Sequence, residues 1–453
     1  MSLLLVCLGC SPGRIGSDGS GTSSESGLAL DSESEDGPVV ETDSESDDGE
    51  DTDSGGPGPC DREGSLKWLD ICEPSDPCDA TICEGDLECL GGQCIEPAPT
   101  ELCPGIELAP VELPVDIYGS EVRLLLADVD GNAGDELISS RTLDGRIDVL
   151  LAGQVVTSWI GPEPLHHVVP IQLGGDGMLD LVGSSHGPDP FALVLIGDGQ
   201  GNFDVAPDQL PGGLPARWPM GIDYDGDGDH DILLAVDQLA TQLYRNDGGA
   251  LSHAGTFDVD VRLGTAVDLD ADGLVDDAIF GEYPSPLVLL GQSGDLVFAD
   301  PLPEPQRGPQ LQYGLGRPLA ADLDGDGNVE IVTMIADGFG RVGARVWWGQ
   351  PGNSFDVPRD QMLLDDADGE VSFVDFVELD GQPPVELVIN HGDVVSYARP
   401  DLANHLPFVC HTSMLEGSFL VDPAIGDLEA DGQLEIAVRY QQEPEVYTVV
   451  PVP

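Results

Sequence analysis

From residue 103 to the end of the chain, short apolar runs alternate with breaks rich in Asp, Gly and Pro. The stretch around residue 225 is representative. Pro219 to Ile222 is apolar, Asp223 to Asp231 is acidic, and Ile232 to Val236 is apolar again. A third run covers Ala240 to Arg245; a turn follows at Asn246-Asp247-Gly248-Gly249, then a fourth run from Ala250 to Phe257. The runs are too short and too rich in β-branched residues for helices, and no apolar spacing of 3.6 residues is sustained. The pattern predicts four short antiparallel strands. It returns around residue 325, where strands are predicted over Arg317 to Ala321, Glu330 to Ile335, Ala344 to Gly349 and Asn353 to Val357.

The acidic break is the most regular feature. Asp223-Tyr224-Asp225-Gly226-Asp227-Gly228-Asp229-His230-Asp231 puts carboxylates at positions 1, 3, 5 and 9, with glycines at 4 and 6. Glycine lets the backbone curl, and oxygen-rich loops suit hard cations that accept many oxygen ligands. Calcium is the candidate; the alternative is a solvated Asp-Gly turn between strands. Related nine-residue loops open at Asp128, Gln172, Asp268, Asp322, Glu378 and Asp427, so that seven starts are separated by 44, 51, 45, 54, 56 and 49 residues. A period near 50 marks a repeat architecture.

Seven units of four antiparallel strands predict an all-β, seven-bladed β-propeller over residues 103–453. After the last acidic loop only two strands fit, Gln433 to Tyr440 and Glu445 to Val450. The seventh blade therefore lacks an outer strand, and Ile106 to Ile117 is available to supply it. A blade built from both ends of the chain hides sheet edges and locks the ring.

The loops differ in quality as ligand sets. Those at Asp223 (Asp223, Asp225, Asp227, Asp231), Asp268 (Asp268, Asp270, Asp272, Asp276) and Asp322 (Asp322, Asp324, Asp326, Glu330) offer side-chain oxygens at all four positions. Residue 7 would give its carbonyl, which leaves its side chain free to vary: Asp229, Leu274, Asn328. The Asp427 loop (Asp427, Glu429, Asp431, Glu435) has a longer Glu at position 3. The Asp128 loop (Asp128, Asp130, Asn132, Glu136) has Ala133 where glycine is expected. The Gln172 loop lacks an oxygen at position 3 and the Glu378 loop carries Gln382 and two prolines, so both are expected to take no metal.

Charge adds a second layer. The formal net charge is −69, but 26 of the 85 acidic residues lie in the seven loops and 14 more lie between Ser11 and Pro59. The charge is thus partly cation ligand and partly tail. Sixteen Lys and Arg are too few for the basic patches that nucleic acid or anionic lipid requires.

Ahead of the repeats stand three further segments. Residues 1–10, Met1 to Cys10, form an apolar run too short to span a bilayer. It resembles a bacterial lipoprotein signal with Cys10 as the lipidated residue, although a basic start is missing and Cys7 stands where Leu is usual. That implies an exported chain held at a cell surface or bacterial outer membrane. Residues 11–59, Ser, Gly, Asp and Glu, cannot bury enough apolar surface to order and read as a disordered acidic linker. Residues 60–102 hold cysteines without zinc spacing or histidine, which reads as a small disulfide module superficially resembling EGF-like domains. Cys103 is left over and is expected to pair with Cys410.

The repeats, through their Asp-x-Asp-x-Asp-Gly-x-x-Asp loops and the apolar strand that follows, resemble FG-GAP or VCBS repeats and the integrin α-subunit propeller. Gly197-Asp-Gly-Gln-Gly-Asn-Phe203 is similar to the glycine-rich tail of such repeats. The resemblance implies a loop between the first two strands of each blade and structural calcium.

No His-Glu-x-x-His or phosphate-binding Gly-Lys motif occurs. His166-His167 and Trp347-Trp348 are more readily strand and core residues than a ligand site. The expectation is a monomeric, non-enzymatic binding or adhesion module for a protein or glycan. A polysaccharide lyase or hydrolase and a purely structural envelope protein are the alternatives.

Overall fold

In a computed structural model of the chain, residues 83–451 are described apart from short interruptions, the longest being 112–121 and 304–311. The lipoprotein-like start, the acidic linker, Cys60, Cys72, Cys78 and His166 lie outside the described residues. All described regular structure is β, and seven antiparallel sheets follow one another as the blades of a propeller.

Blade 3 shows the common order: Ala216–Ile222, Asp231–Val236, Ala240–Asn246 and Leu251–Phe257, paired in sequence. The first strands of neighbouring blades lie against one another and line the centre. The second strand is buried on both faces; Asp231–Val236 and Glu386–His391 are buried along all but their last residue. This is why these strands read as unbroken apolar runs, whereas the outermost strand, as in Leu251–Phe257, is half-buried to exposed throughout.

The core is divided among the joints between blades. Ile171, Val182 and Val194 of blade 2 meet Ile232, Leu234 and Tyr244 of blade 3. Equivalent clusters fill every successive joint, and Leu126, Leu137 and Leu150 of blade 1 meet Ala424, Ala437 and Val446 of blade 7. That last cluster closes the ring. Blade 7 consists of Val421–Gly426, Glu435–Tyr440 and Glu443–Pro451, with Ile106–Val111 as its outer strand, in register from Ile106 opposite Pro451 to Val111 opposite Val446.

Cys103 and Cys410 form a disulfide, Cα atoms 4.9 Å apart, between the lead-in to that strand and the outer strand of blade 6, Leu406–Glu416. Upstream, Glu88–Leu90 and Gln93–Ile95 form a hairpin with a Cys83–Cys94 disulfide. Leu90 and Ile95 pack on Ile335 and Met362 of blade 5. Glu96 then bonds Asp360 and Met362 on the outer edge of blade 5, and Glu101 O accepts from His411 N on that of blade 6. The residues before the propeller therefore run along blades 5, 6 and 7 in turn.

Blade 5 corrects one sequence expectation. Its third strand is Val342–Trp347 and its fourth is Arg359–Leu364, not 353–357. Gly352 and Asn353 both have positive φ, 84° and 56°, and turn the chain into a small hairpin of Gly349–Gln350 with Ser354–Phe355. The outer strand forms only afterwards, where Met362 and Leu363 are buried. The inner strand of this blade is split into Gln312–Tyr313 and Leu319–Ala321, both paired to Glu330–Ala336.

Candidate metal centres

Each acidic loop connects the first and second strands of its blade. The loops fold on themselves first. Asp223 accepts the backbone N–H groups of Asp227 and Gly228, and Asp227 accepts that of Asp229. The loops at Asp268, Asp322 and Asp427 repeat this scheme. The curl needs left-handed backbone at positions 4 and 6. Gly226 and Gly228 adopt it with φ of 69° and 94°, and Ala271 and Ala430 hold it at 56° and 57° despite their Cβ.

The last acid of the loop has a role that ligand counting missed. Asp231 receives Tyr224 N at 3.1 Å on one oxygen and Asn246 N of the third strand at 2.8 Å on the other. It is a clasp that ties the loop to the strand beyond it. Glu330 receives Leu323 N and Gly349 N in the same way, and Asp180 receives Leu173 N and Gly197 N. The third strand passes so near the loop that a Cβ on Gly197 would lie 2.3 Å from Leu179 O, which explains the glycine there. Glu136, Glu386 and Glu435 clasp Val129, Leu379 and Leu428. The sequence carried this signal. The acid before the second strand persists at Asp180 and Glu386, in the two loops with the poorest ligand sets.

In the Asp268 loop the clasp is Asp277, which receives Leu269 N and Gly291 N, both at 2.8 Å. One additional residue separates it from the loop start, so Asp276, at the ninth position, is not the clasp.

Among the described residues, carboxylate oxygens converge in four places, each set within 4.8 Å: Asp128, Asp130 and Glu136; Asp223, Asp225 and Asp231; Asp268, Asp270 and Asp272; Asp322, Asp324 and Glu330. These sets could bind a metal ion. Three unite positions 1, 3 and 9; the Asp268 set unites positions 1, 3 and 5. Of the other loop acids singled out by sequence, Asp227, Asp229, Asp276 and Asp326 fall outside these sets; Asn132, Leu274 and Asn328 carry no carboxylate. Among the described residues, Asp427, Glu429, Asp431 and Glu435 do not converge in this way.

The electrostatics suit a cation. Burial pushes the Asp231 carboxyl up to about 7, with the charges of Asp225 and Asp227 adding to it. Burial and neighbouring acids likewise push Glu136 and Glu330 up to about 7. Carboxylates crowded at low solvent exposure favour the ionised form only when a positive charge joins them. Asp225 Oδ1 is buried without a hydrogen-bond partner, which leaves lone pairs facing no donor. One positive charge does come from the chain. Arg245 Nε lies 3.0 Å from Asp225 Oδ2, and Nη2 lies 2.8 Å from Asp247.

The loops are also joined to one another. Asp135 N donates to Asp427 O at 2.7 Å, and Asp427 N returns to the Asp135 carboxylate. His230 N donates to Gln172 O, and Gln172 N to His230 Nδ1. Asp223 N donates to Val275 O. In each case the first residue of one loop meets the eighth of the next.

Other sequence candidates lie elsewhere. Trp347 is fully buried, with its indole N–H on Pro303 O, and Trp348 is buried in the core of blades 5 and 6. His167 begins the inner strand of blade 2.

No family model matches the chain, and no curated protein sequence matches it. Solved structures similar to it include the N-terminal domain of Nup159, at 7% identity and a TM-score of 0.47, over 79% of this chain and 99% of that one. BBS1N, crystallised in complex with ARL6DN and soaked with mercury, is 8% identical with a TM-score of 0.47, over 76% of this chain and 97% of that one. Streptogramin B lyase is 11% identical with a TM-score of 0.43, over 76% and 97%. Likeness at this level carries no ligand or chemistry to the present chain.

Proposed function

We propose that this chain is a calcium-stabilised propeller of the FG-GAP or VCBS kind, exported and held at a cell surface through Cys10. Its role in this reading is to bind a protein or glycan without transforming it. The observation that supports the reading is the convergence of three carboxylates in each of four loops, with clasp acids pushed toward neutrality in the absence of a cation. A divalent ion there replaces mutual repulsion by shared attraction and fixes each loop against its blade.

Thermal unfolding in millimolar calcium and in excess chelator tests this. A ligand that binds only the folded state adds RT ln(1 + [L]/Kd), so several filled sites contribute on the order of several kcal/mol. Chelation is expected to lower the melting temperature by about 5 °C or more, and an unchanged melt refutes the structural-calcium reading. A glycan array read with and without calcium tests binding. Incubation with anionic polysaccharides, followed for new reducing or unsaturated ends, tests the absence of cleavage.

A further inference from the structure

The inner strands give the central channel two different ends. Acidic loops follow the carboxyl ends of those strands. At their amino ends lies a cavity of about 240 Å³. It is lined by inner-strand residues of blades 1 to 4, by Leu233, Ala235, Thr241 and Phe280 from the strands behind those of blades 3 and 4, and by Arg317, which leads into the inner strand of blade 5. In a chain with 85 acidic and 16 basic residues, Arg123, Arg317 and His167 line the cavity, and the described lining residues include no carboxylate. The floor is apolar, with Met220, Leu233 and Phe280.

Two details show a shaped surface. Trp218 has φ of 45° at a bulge between Arg217 and Pro219. A bulky residue there is strained, and such strain persists where the surroundings hold it and concentrates at binding sites. Its ring lies 5.7 Å from that of His167, on the same cavity wall. Arg317 Nε donates to Thr265 Oγ1 of blade 4 at 2.9 Å, and Thr265 Oγ1 in turn donates to Pro318 O. With Nε engaged, an incoming acceptor meets the two Nη groups.

We infer that this end of the channel binds one carboxylate-bearing sugar ring, a uronate residue of a glycan. This rests on the binding-module reading above and names its ligand class. Arg123 and Arg317 take the carboxylate, because the guanidinium fork matches its geometry. The rings of Trp218 and His167 and the apolar floor take the face of the ring. The volume lies below the roughly 300–1,000 Å³ of pockets that enclose drug-sized ligands, and so suits a single ring rather than a length of peptide. The net charge of −69 disfavours dense polyanions and leaves a ligand of low charge density.

The test uses the full chain in millimolar calcium, titrated calorimetrically with a digalacturonate, its carboxyl-reduced counterpart and a glutamate-containing tripeptide. The digalacturonate is expected to bind at least tenfold more tightly than either of the others. Arg317→Ala and Arg123→Ala are each expected to weaken it tenfold or more, and Arg317→Lys by less than Arg317→Ala, with melting temperatures close to wild type. Equal affinity for the reduced sugar, tighter binding of the tripeptide, no uronate binding, or full affinity in both alanine variants overturns the inference. If uronate fails to bind while chelation still lowers the melting temperature, the channel assignment falls and the calcium-stabilised propeller stands. If uronate binds and chelation has no effect, the reverse holds.

Discussion

The loops opening at Asp322 and at Glu378 close over the same kind of clasp, Glu330 in blade 5 and Glu386 in blade 6. Both acids are fully buried and both receive the N–H of the second loop residue. In blade 5 the remaining charge faces Asp322 and Asp324, a set that could bind a metal ion. In blade 6 it faces Arg399, whose Nε lies 2.8 Å from Glu386 Oε1 and whose Nη2 contacts the same oxygen. One blade presents an acidic set that could take its counter-charge from solution, and the other carries the charge on the next strand. A buried carboxylate needs compensation, and the repeat is indifferent to its source.

The sharpest break in this comparison comes from the covalent support of blade 6. Replacing Cys410 by Ser opens a bridge across 307 residues. The chain-entropy account puts the cost at about 6 kcal/mol. The loss in denaturant titrations is expected to be the same with calcium and with chelator. A loss that appears only in calcium would mean that blade 6 also depends on an ion.

Arg399→Met removes the positive charge and leaves Glu386 buried without it, at a cost of about 3–5 kcal/mol. This loss is also expected to be independent of calcium in thermal melts. Recovery by added calcium would show that the Glu378 loop can bind metal once its arginine is gone.

Blade 6 further holds His391 and His411, ring centroids 6.4 Å apart. Burial, then the charge of His391, depresses His411 to about 4, and burial lowers His391 too; His391 Nε2 is buried without a hydrogen-bond partner. The folded pKa is below the unfolded one, so between pH 6.5 and about 4 only the unfolded chain takes up the proton. Stability is expected to fall with pH across that window, by up to about 3 kcal/mol for His411. The measure is the difference in calcium between wild type and His411→Gln, since the loop acids titrate in the same range. Parallel pH profiles for the two would remove His411 as the cause.

Asp324→Asn in blade 5 is the smallest change and the most selective. The amide keeps an acceptor for Asp326 N but loses ligand charge. A site weakened tenfold to a hundredfold costs about 1.4–2.7 kcal/mol at saturating calcium. The melting temperature is expected to fall in calcium and to match wild type in chelator. A matching loss in both conditions would place Asp324 in the fold rather than at a metal.

Much of the fold was legible in the chain because it is written seven times. The Asp and Gly positions at 223–231, repeated near every fiftieth residue, predict the blade count, the loop placement and the missing outer strand that Ile106–Val111 supplies. The pairing of Cys103 with Cys410 was legible from an odd cysteine. What escaped was set by individual spacing and long-range contact. Asp277 displaces Asp276 because one loop is a residue longer, and a fixed nine-residue frame hides that. The outer strand of blade 5 moves to Arg359–Leu364 because a second turn intervenes. Arg399 meets Glu386 across strands and Arg245 reaches from the third strand to Asp225 in the loop, where the order of residues does not announce the pair.

The segment from residue 93 to 111 has a mechanical consequence. It is bonded edgewise to blade 5 through Glu96, to blade 6 through Glu101 and the Cys103 bridge, and to blade 7 through a full ladder. A pull transmitted from upstream would load these bonds in shear, many at once, before any blade could peel from the wheel. The stitching thus equips the molecule to bear tension.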